Sequence, residues 1–231
     1  MFATRSFCTP DLRLIFNIAN ACTRRGESGG PAIIDVLDGT FNPVGKLPYT
    51  IYPAAFNLTR PITDMSLRGG EGITHLHYTG AALWKFGSGS SYTKFAVSIV
   101  SRPLLVLNGT EVETFIAQSA QGQSYSVRVQ NVGAVPGGTR VLGFVTCDDP
   151  EVYFPKQRLF GFNSVDLLEP TASTTVTLKL PTPKQLSVAD EAGRQWLHPA
   201  SYSIHIGTGP PGDAEVTVHK LVLRSDARVL L

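Results

Sequence analysis

Long apolar runs are missing from this chain of 231 residues. No stretch approaches the roughly 20 apolar residues that a membrane-spanning helix needs. The N-terminal MFATRSFCTPDLRLIF has no uninterrupted apolar core of the length a signal peptide requires. Cysteine is scarce. Cys8, Cys22 and Cys147 make an odd number without C-x-x-C spacing, which argues against a dense disulfide frame and a cysteine-based metal cluster. A Cys8–Cys22 bridge is open to the spacing, but buried free thiols are the commoner state. Excess charge of one sign is missing too. Lys and Arg number 20 against 18 Asp and Glu, and the basic residues are scattered. Neither nucleic acid nor an anionic membrane is therefore an expected partner.

Glycine (22) and proline (16) are plentiful, and long helical patterns are few, so the expected class is loop-rich and mainly β. Apolar content of 42% is enough for a real core, in one large or two small domains. From Phe95 onward the hydrophobic pattern has period two. Val127 and Val129 alternate with Ser126, Arg128 and Gln130; Val176, Leu178 and Leu180 alternate with Thr175, Thr177 and Lys179. Such alternation gives one buried and one wet face, as in an antiparallel sandwich. Candidate strands are Phe95–Val100, Thr114–Ala117, Tyr125–Gln130, Arg140–Thr146, Thr174–Leu180 and Ser201–Ile206, with a last pair at Glu215–His219 and Lys220–Arg224. Asn131-Val132-Gly133 and Pro136-Gly137-Gly138 are turn chemistry.

Before Phe95 the pattern differs. Ala32, Ile33, Val36 and Leu37 form an apolar stripe at helical spacing. Asp38-Gly39 ends that helix, with Gly39 suited to the left-handed position. Asn42-Pro43 turns the chain, and Leu47–Tyr52 is a strand candidate that Pro48 restricts to an edge. Pro10-Asp11 opens a further candidate helix with Leu12, Ile15, Phe16 and Ala19 on one face, expected to pack on the helix that follows.

The exact strings add to this. Gly29, Gly30, Ala32, Ile33, Asp35, Val36, Leu37, Gly39, Asn42, Pro43, Gly45, Lys46, Leu47, Pro48, Thr50 and Tyr52 stand in one ungapped register. That register resembles the closing segment of the second domain of glycoside hydrolase family 3, the β-glucosidases and β-xylosidases. Thr63-Asp64-Met65-Ser66-Leu67-Arg68 is similar to a run of the β-xylosidase branch. Gly72, Thr74, Tyr78 and Gly80 fit a further family string, from which His75, Leu76 and His77 depart. Phe86-Gly87-Ser88-Gly89 with Ser91-Tyr92-Thr93 and Phe95 resembles the string that ends the second domain, Ser90 replacing a usual leucine. Later, Val127-x-Val129-x-Asn131-x-Gly133, Leu159-x-Gly161-Phe162, Leu186–Asp190, Trp196 and Pro199-x-x-Tyr202-x-Ile204-x-Ile206-Gly207 resemble the family's fibronectin type III-like domain.

The resemblance implies three parts: a poorly matched, helix-prone segment at 1–26; the tail of the family's α/β sandwich domain at 27–95; and a fibronectin type III-like β-sandwich at 96–231. The fold expected is therefore mainly β, an immunoglobulin-like antiparallel sandwich preceded by a partial α/β segment. It also implies retaining hydrolysis of terminal β-linked xylose or glucose without a cofactor. Such chemistry needs two carboxyl groups about 5–5.5 Å apart. In the family these are an aspartate on an N-terminal barrel and a glutamate upstream of the segment matching Gly29, and neither position lies in this chain. No catalytic residue is therefore assigned, and a carbohydrate substrate is expected only where the missing domains are present. A partner chain covering residues 1–95 would supply the uncovered faces. The family is often extracellular, and sequons at Asn57 and Asn108 would matter only there.

Other chemistry-bearing residues have plainer readings. Asp148, Asp149 and Glu151 read as solvated loop acids, Glu111 and Glu113 as the wet face of a strand, and Asp190 and Glu191 as turn residues. His75 and His77 would share a strand face, but no further ligand completes a metal shell. His198, His205 and His219 have no recognisable nucleophile beside them. The loop Gly87–Ser90 could cradle a phosphate, but no G-K-[ST] follows. Tyr153, Phe154, Phe160, Phe162 and Trp196 could form a sugar-stacking platform, for which an exposed Trp84 or Tyr153 is the better candidate. Phe160 and Phe162, on one strand face, read as core. The competing reading is thus a non-catalytic β-sandwich module that binds glycan or protein.

Overall fold

A computed structural model describes residues 29–103, 110–225 and 227–231. The readings on Cys8, Cys22, Asn108 and the helix from Pro10 fall outside those residues. Helix α1 (Gly29–Leu37) is followed by two single-turn helices, α2 (Phe56–Thr59) and α3 (Thr74–His77). Gly39 has φ 82° and lets the chain leave α1 through the left-handed region. Leu47–Tyr52 is not a continuous strand: Leu47 exchanges backbone bonds with Ser88 and Gly87, and Ile51 forms an isolated bridge to Trp84. Pro48 has no N–H to give a ladder, which interrupts pairing between those two points.

From Phe95 the chain builds a sandwich. One sheet orders β1 (Phe95–Ser101), β3 (Ser124–Asn131) and β6 (Ser173–Lys179). The facing sheet orders β2 (Thr110–Glu111), β10 (Val216–Arg224), β9 (Ser201–Gly207), β4 (Gly137–Cys147) and β5 (Arg158–Leu168). A small third sheet joins β7 (Val188–Ala189), β8 (Gln195–Leu197) and β11 (Val229–Leu230). Pairing is antiparallel except between β2 and β10. The alternating residues do as their period requires: Tyr125, Val127 and Val129 are fully buried and meet Val141, Val145, Tyr202, Ile204, Ile206 and Leu221 across the core. The Tyr202 hydroxyl donates to the His198 carbonyl at 3.0 Å, a tyrosine-corner contact of immunoglobulin-like sandwiches.

Further sequence readings need correction in the sandwich. Thr114–Ala117 is helical, within α4 (Val112–Ser119). Val112, Phe115 and Ile116 stand at i, i+3 and i+4, and the first two are fully buried at one end of the core; this spacing outweighs the β-branched content. The two strands proposed after Glu215 are one, β10, which pairs along its length with β9. Phe160 and Phe162 do not share a face. Gly143 opposes Gly161 while Phe144 opposes Leu159, so β5 carries an extra residue at Phe160. The bulge turns Phe160 into the core and leaves Phe162 67% exposed. The Phe160 ring lies over Gly143, where an added Cβ would stand 2.5 Å from its Cζ.

Asn131, at the end of β3, is fully buried and fully used. Its Oδ1 accepts from Thr93 Oγ1 (2.6 Å) and the Gly133 N–H (3.0 Å), and its Nδ2 donates to the carbonyls of Val135 and Leu168 (2.9 Å each). Removing that amide strands several buried groups, each costing about 1–3 kcal/mol when unpaired. Asn131→Ala should thus lower the urea midpoint strongly, by the equivalent of about 2–4 kcal/mol at unchanged slope. A midpoint equal to that of the parent chain would refute this role.

Candidate functional site

Two loops meet the sandwich at one place. The Asn42 side chain accepts from Ser91 Oγ and the Tyr92 N–H (2.9 Å each) and donates to the Pro136 carbonyl at 3.1 Å. Backbone bonds from Leu47 to Ser88 and from Gly87 to Leu47 zip the loops together. Phe86 then stacks on His75, with centroids 4.0 Å apart, and meets Phe144 edge-on at 5.9 Å. Gly87 (φ 83°) permits close approach: a Cβ there would lie 2.9 Å from Leu142 Cδ1. Lys156 closes the other side, its Nζ donating to the Tyr78 carbonyl and its N–H to that of Leu76.

Beside this joint lies a cleft of about 550 Å³ between the Lys46 and Trp84–Ser90 loops and the β9–β10 connection. Lys46, Trp84, Ser90, Thr208, Asp213 and Glu215 line it. Burial lowers the Lys46 pKa, while the carboxylates of Glu215 and Asp213 work against that shift. The Lys46 ammonium makes one long contact, 3.4 Å to the Gly89 carbonyl. Glu215 accepts the Thr208 hydroxyl. The buried Nε1 of Trp84 has no hydrogen-bond partner among the described residues. Of the lining, sequence reasoning weighed Trp84 and the loop Gly87–Ser90; Lys46 and the two acids are far apart in the chain, and no motif links them.

The acids weighed from sequence have local duties. Asp148 accepts from Ser203 and Ser201 and lies 3.6 Å from Lys220, so it ties the β4 end to β9 and β10. Asp149 caps the Glu151 N–H. Glu111 lies in β2 and Glu113 in the first turn of α4, not on one alternating strand. Asp190 accepts from Trp196 Nε1 (2.9 Å) and from the Arg194 N–H and Nε, and those bonds, Trp196 first, hold its pKa down at about 2.

Aromatic and histidine readings divide. Trp196 is not an open platform, because the guanidinium groups of Arg228 and Arg194 lie over its ring, at 4.2 and 5.6 Å. Tyr153 is 54% exposed beneath Arg68, while Phe154 meets Tyr202 and Arg158. His75 and His77 sit on a helical turn rather than a strand, so their side chains point to different sides. Among the described residues, no three His, Cys, Asp or Glu side chains come together as metal ligands. His205 shares a 3.1 Å bond between its Nε2 and Thr146, and His219 lies in the core beside Tyr125.

The two packed sheets and the tyrosine corner define a fibronectin type III-like sandwich, and residues 141–209 match the family described as Fibronectin type III-like domain. Comparison with known proteins extends this over most of the chain. The exo-1,4-beta-xylosidase xlnD of Emericella nidulans is 30% identical over 217 residues, covering 89% of this chain and 26% of that protein. Beta-xylosidase/alpha-L-arabinofuranosidase 2 of Medicago sativa subsp. varia is 31% identical over 202 residues, covering 79% and 26%. The solved structure of a GH3 exo-beta-xylosidase (XlnD) in complex with a xylobiose aziridine activity-based probe superposes with a TM-score of 0.75 at 28% identity, over 89% of this chain and 27% of that one. The chain belongs to glycoside hydrolase family 3 and corresponds to the C-terminal part of those proteins. It spans about a quarter of the length of the relatives it matches.

Burial lowers the pKa of all five histidines, His75, His77, His198, His205 and His219, below the ordinary 6.5. The unfolded chain therefore binds more protons than the folded one as pH falls through that value. The stabilisation is fully present above about pH 6.5 and is lost as pH drops through the folded pKa values. Melting temperatures should fall between pH 7.5 and pH 5; a rise over that range would contradict the assignment.

Proposed function

We propose that these residues form the C-terminal portion of a β-glycosidase that releases terminal β-linked xylose in preference to glucose. The observation that carries the reading is the likeness to the exo-beta-xylosidase structure, which runs through both the loop segment and the sandwich. The names of the relatives and the Thr63–Arg68 string favour xylose. In this reading residues 27–95 are the tail of the α/β sandwich domain and 96–231 the fibronectin type III-like domain. The carboxylates that perform the double displacement belong to the rest of the enzyme. Two acids of this chain instead hold a hairpin and a turn: Asp148 bonds to Ser203, and Asp190 to Trp196.

A physical observation favours a covering domain. Helix α1 has no buried residue, and Ile34, Leu58, Ile62 and Met65 are 60%, 85%, 98% and 86% exposed. Apolar surface of this kind marks an interface. We infer that the rest of a family 3 glycosidase covers it. A second reading, a non-catalytic binding module, draws on the cleft beside Lys46.

Two measurements test the proposal. The purified 231-residue chain should not turn over 4-nitrophenyl β-xyloside, whereas the native protein that carries this segment should, and faster than the β-glucoside. Turnover that co-purifies with the isolated chain, against a blank from the same host, would overturn the division of labour. In the isolated chain, amide exchange should be faster across residues 29–83 than in β3, β4 and β9. Equal protection would mean that the exposed apolar residues need no cover.

A further inference from the structure

We infer that the cleft lined by Lys46, Trp84, Thr208, Asp213 and Glu215 binds a neutral, hydroxyl-rich ring: one or two units of a saccharide. Its volume, about 550 Å³, lies in the range of small-molecule sites. Its charges select the ligand class. An anion drawn to Lys46 would also face Asp213 and Glu215. A cation drawn to the acids would face Lys46, and two carboxylates are too few for a metal shell. An apolar ligand would strip water from an ammonium and two carboxylates and return no hydrogen bond.

A sugar satisfies each group. Its hydroxyls can donate to Asp213 and to the Glu215 oxygen that Thr208 leaves free. They can accept from Lys46, whose single long contact to Gly89 leaves donors to spare. The indole of Trp84 lines the same cleft, and its enclosed N–H, without a partner among the described residues, reports any change at that wall. The indole also provides an apolar face for the C–H side of a ring. The wall is shaped in advance: Gly209 packs so closely on Asp213 that an added Cβ would lie 2.4 Å from its Oδ2. A side chain at Gly209 would therefore displace that carboxylate.

The choice of xylobiose as first probe rests on the xylosidase reading; the sugar class rests on the cleft. The 231-residue chain has two tryptophans, Trp84 and Trp196. Trp196→Phe assigns the two indole N–H signals in a nitrogen–proton correlation spectrum, and the unsubstituted chain is then titrated with xylobiose and, separately, cellobiose. Saturable movement of the Trp84 signal is expected with at least one disaccharide. Lys46→Met and Asp213→Asn should each weaken it by roughly tenfold or more, with melting temperatures near that of the parent. A Trp84 signal unmoved by either sugar up to about 100 mM, or equal curves in both variants, would overturn the inference. Binding of cellobiose alone would uphold the cleft as a sugar site and count against the xylose preference, so the two readings fail separately.

Discussion

A single buried amide, that of Asn131, holds the ends of the sandwich in register. The core faces of β3 and β4 are apolar and non-directional; they would tolerate sliding. Asn131 does not, because its four side-chain bonds each have a direction. They fix the turn at Gly133, the approach to β4 at Val135, the end of β5 at Leu168 and the incoming chain at Thr93. A buried polar group that is fully paired specifies one arrangement where packing alone would admit several. Thr93 carries this constraint out of the sandwich, next to the Ser91 and Tyr92 contacts with Asn42.

The joint explains an oddity of β4. Most of its residues from Gly137 to Val145 are buried on both faces, although it belongs to a two-layer sandwich. Leu142 and Phe144 lie on the outer face, where water would be expected, and are covered instead by Gly87 and Phe86. On β10, which is uncovered, the alternation returns and Val218, Lys220 and Val222 are exposed. Loop segment and sandwich thus share one apolar contact, and the cleft beside Lys46 is formed where that contact ends.

Legibility followed the range of the forces involved. β3 and β6 could be read from alternation, because each has one wet face. The α1 stop at Gly39 could be read because a left-handed residue is a local requirement. Helix α4 was hidden by Thr114, Phe115 and Ile116, which suit a strand until the burial of Val112 and Phe115 on one side is known. The β5 bulge depends on how Phe160 fits over Gly143, a tertiary contact without a sequence period. The cleft was the least legible, since Lys46, Trp84 and Glu215 meet only through the folded joint.

The bulge has a bearing on how such a chain behaves in company. β5 is the rim of its sheet, and a straight rim with Phe162 and Leu167 outward would invite a neighbour's strand to add itself. The extra residue at Phe160 breaks the repeat of outward-facing N–H and C=O groups. Farther along, Asn163 spends its amide on the Thr177 carbonyl of β6, drawing the two rims together. Incoming strands therefore meet an interrupted, partly stitched seam, and the sandwich can display aromatic surface without templating its own aggregation.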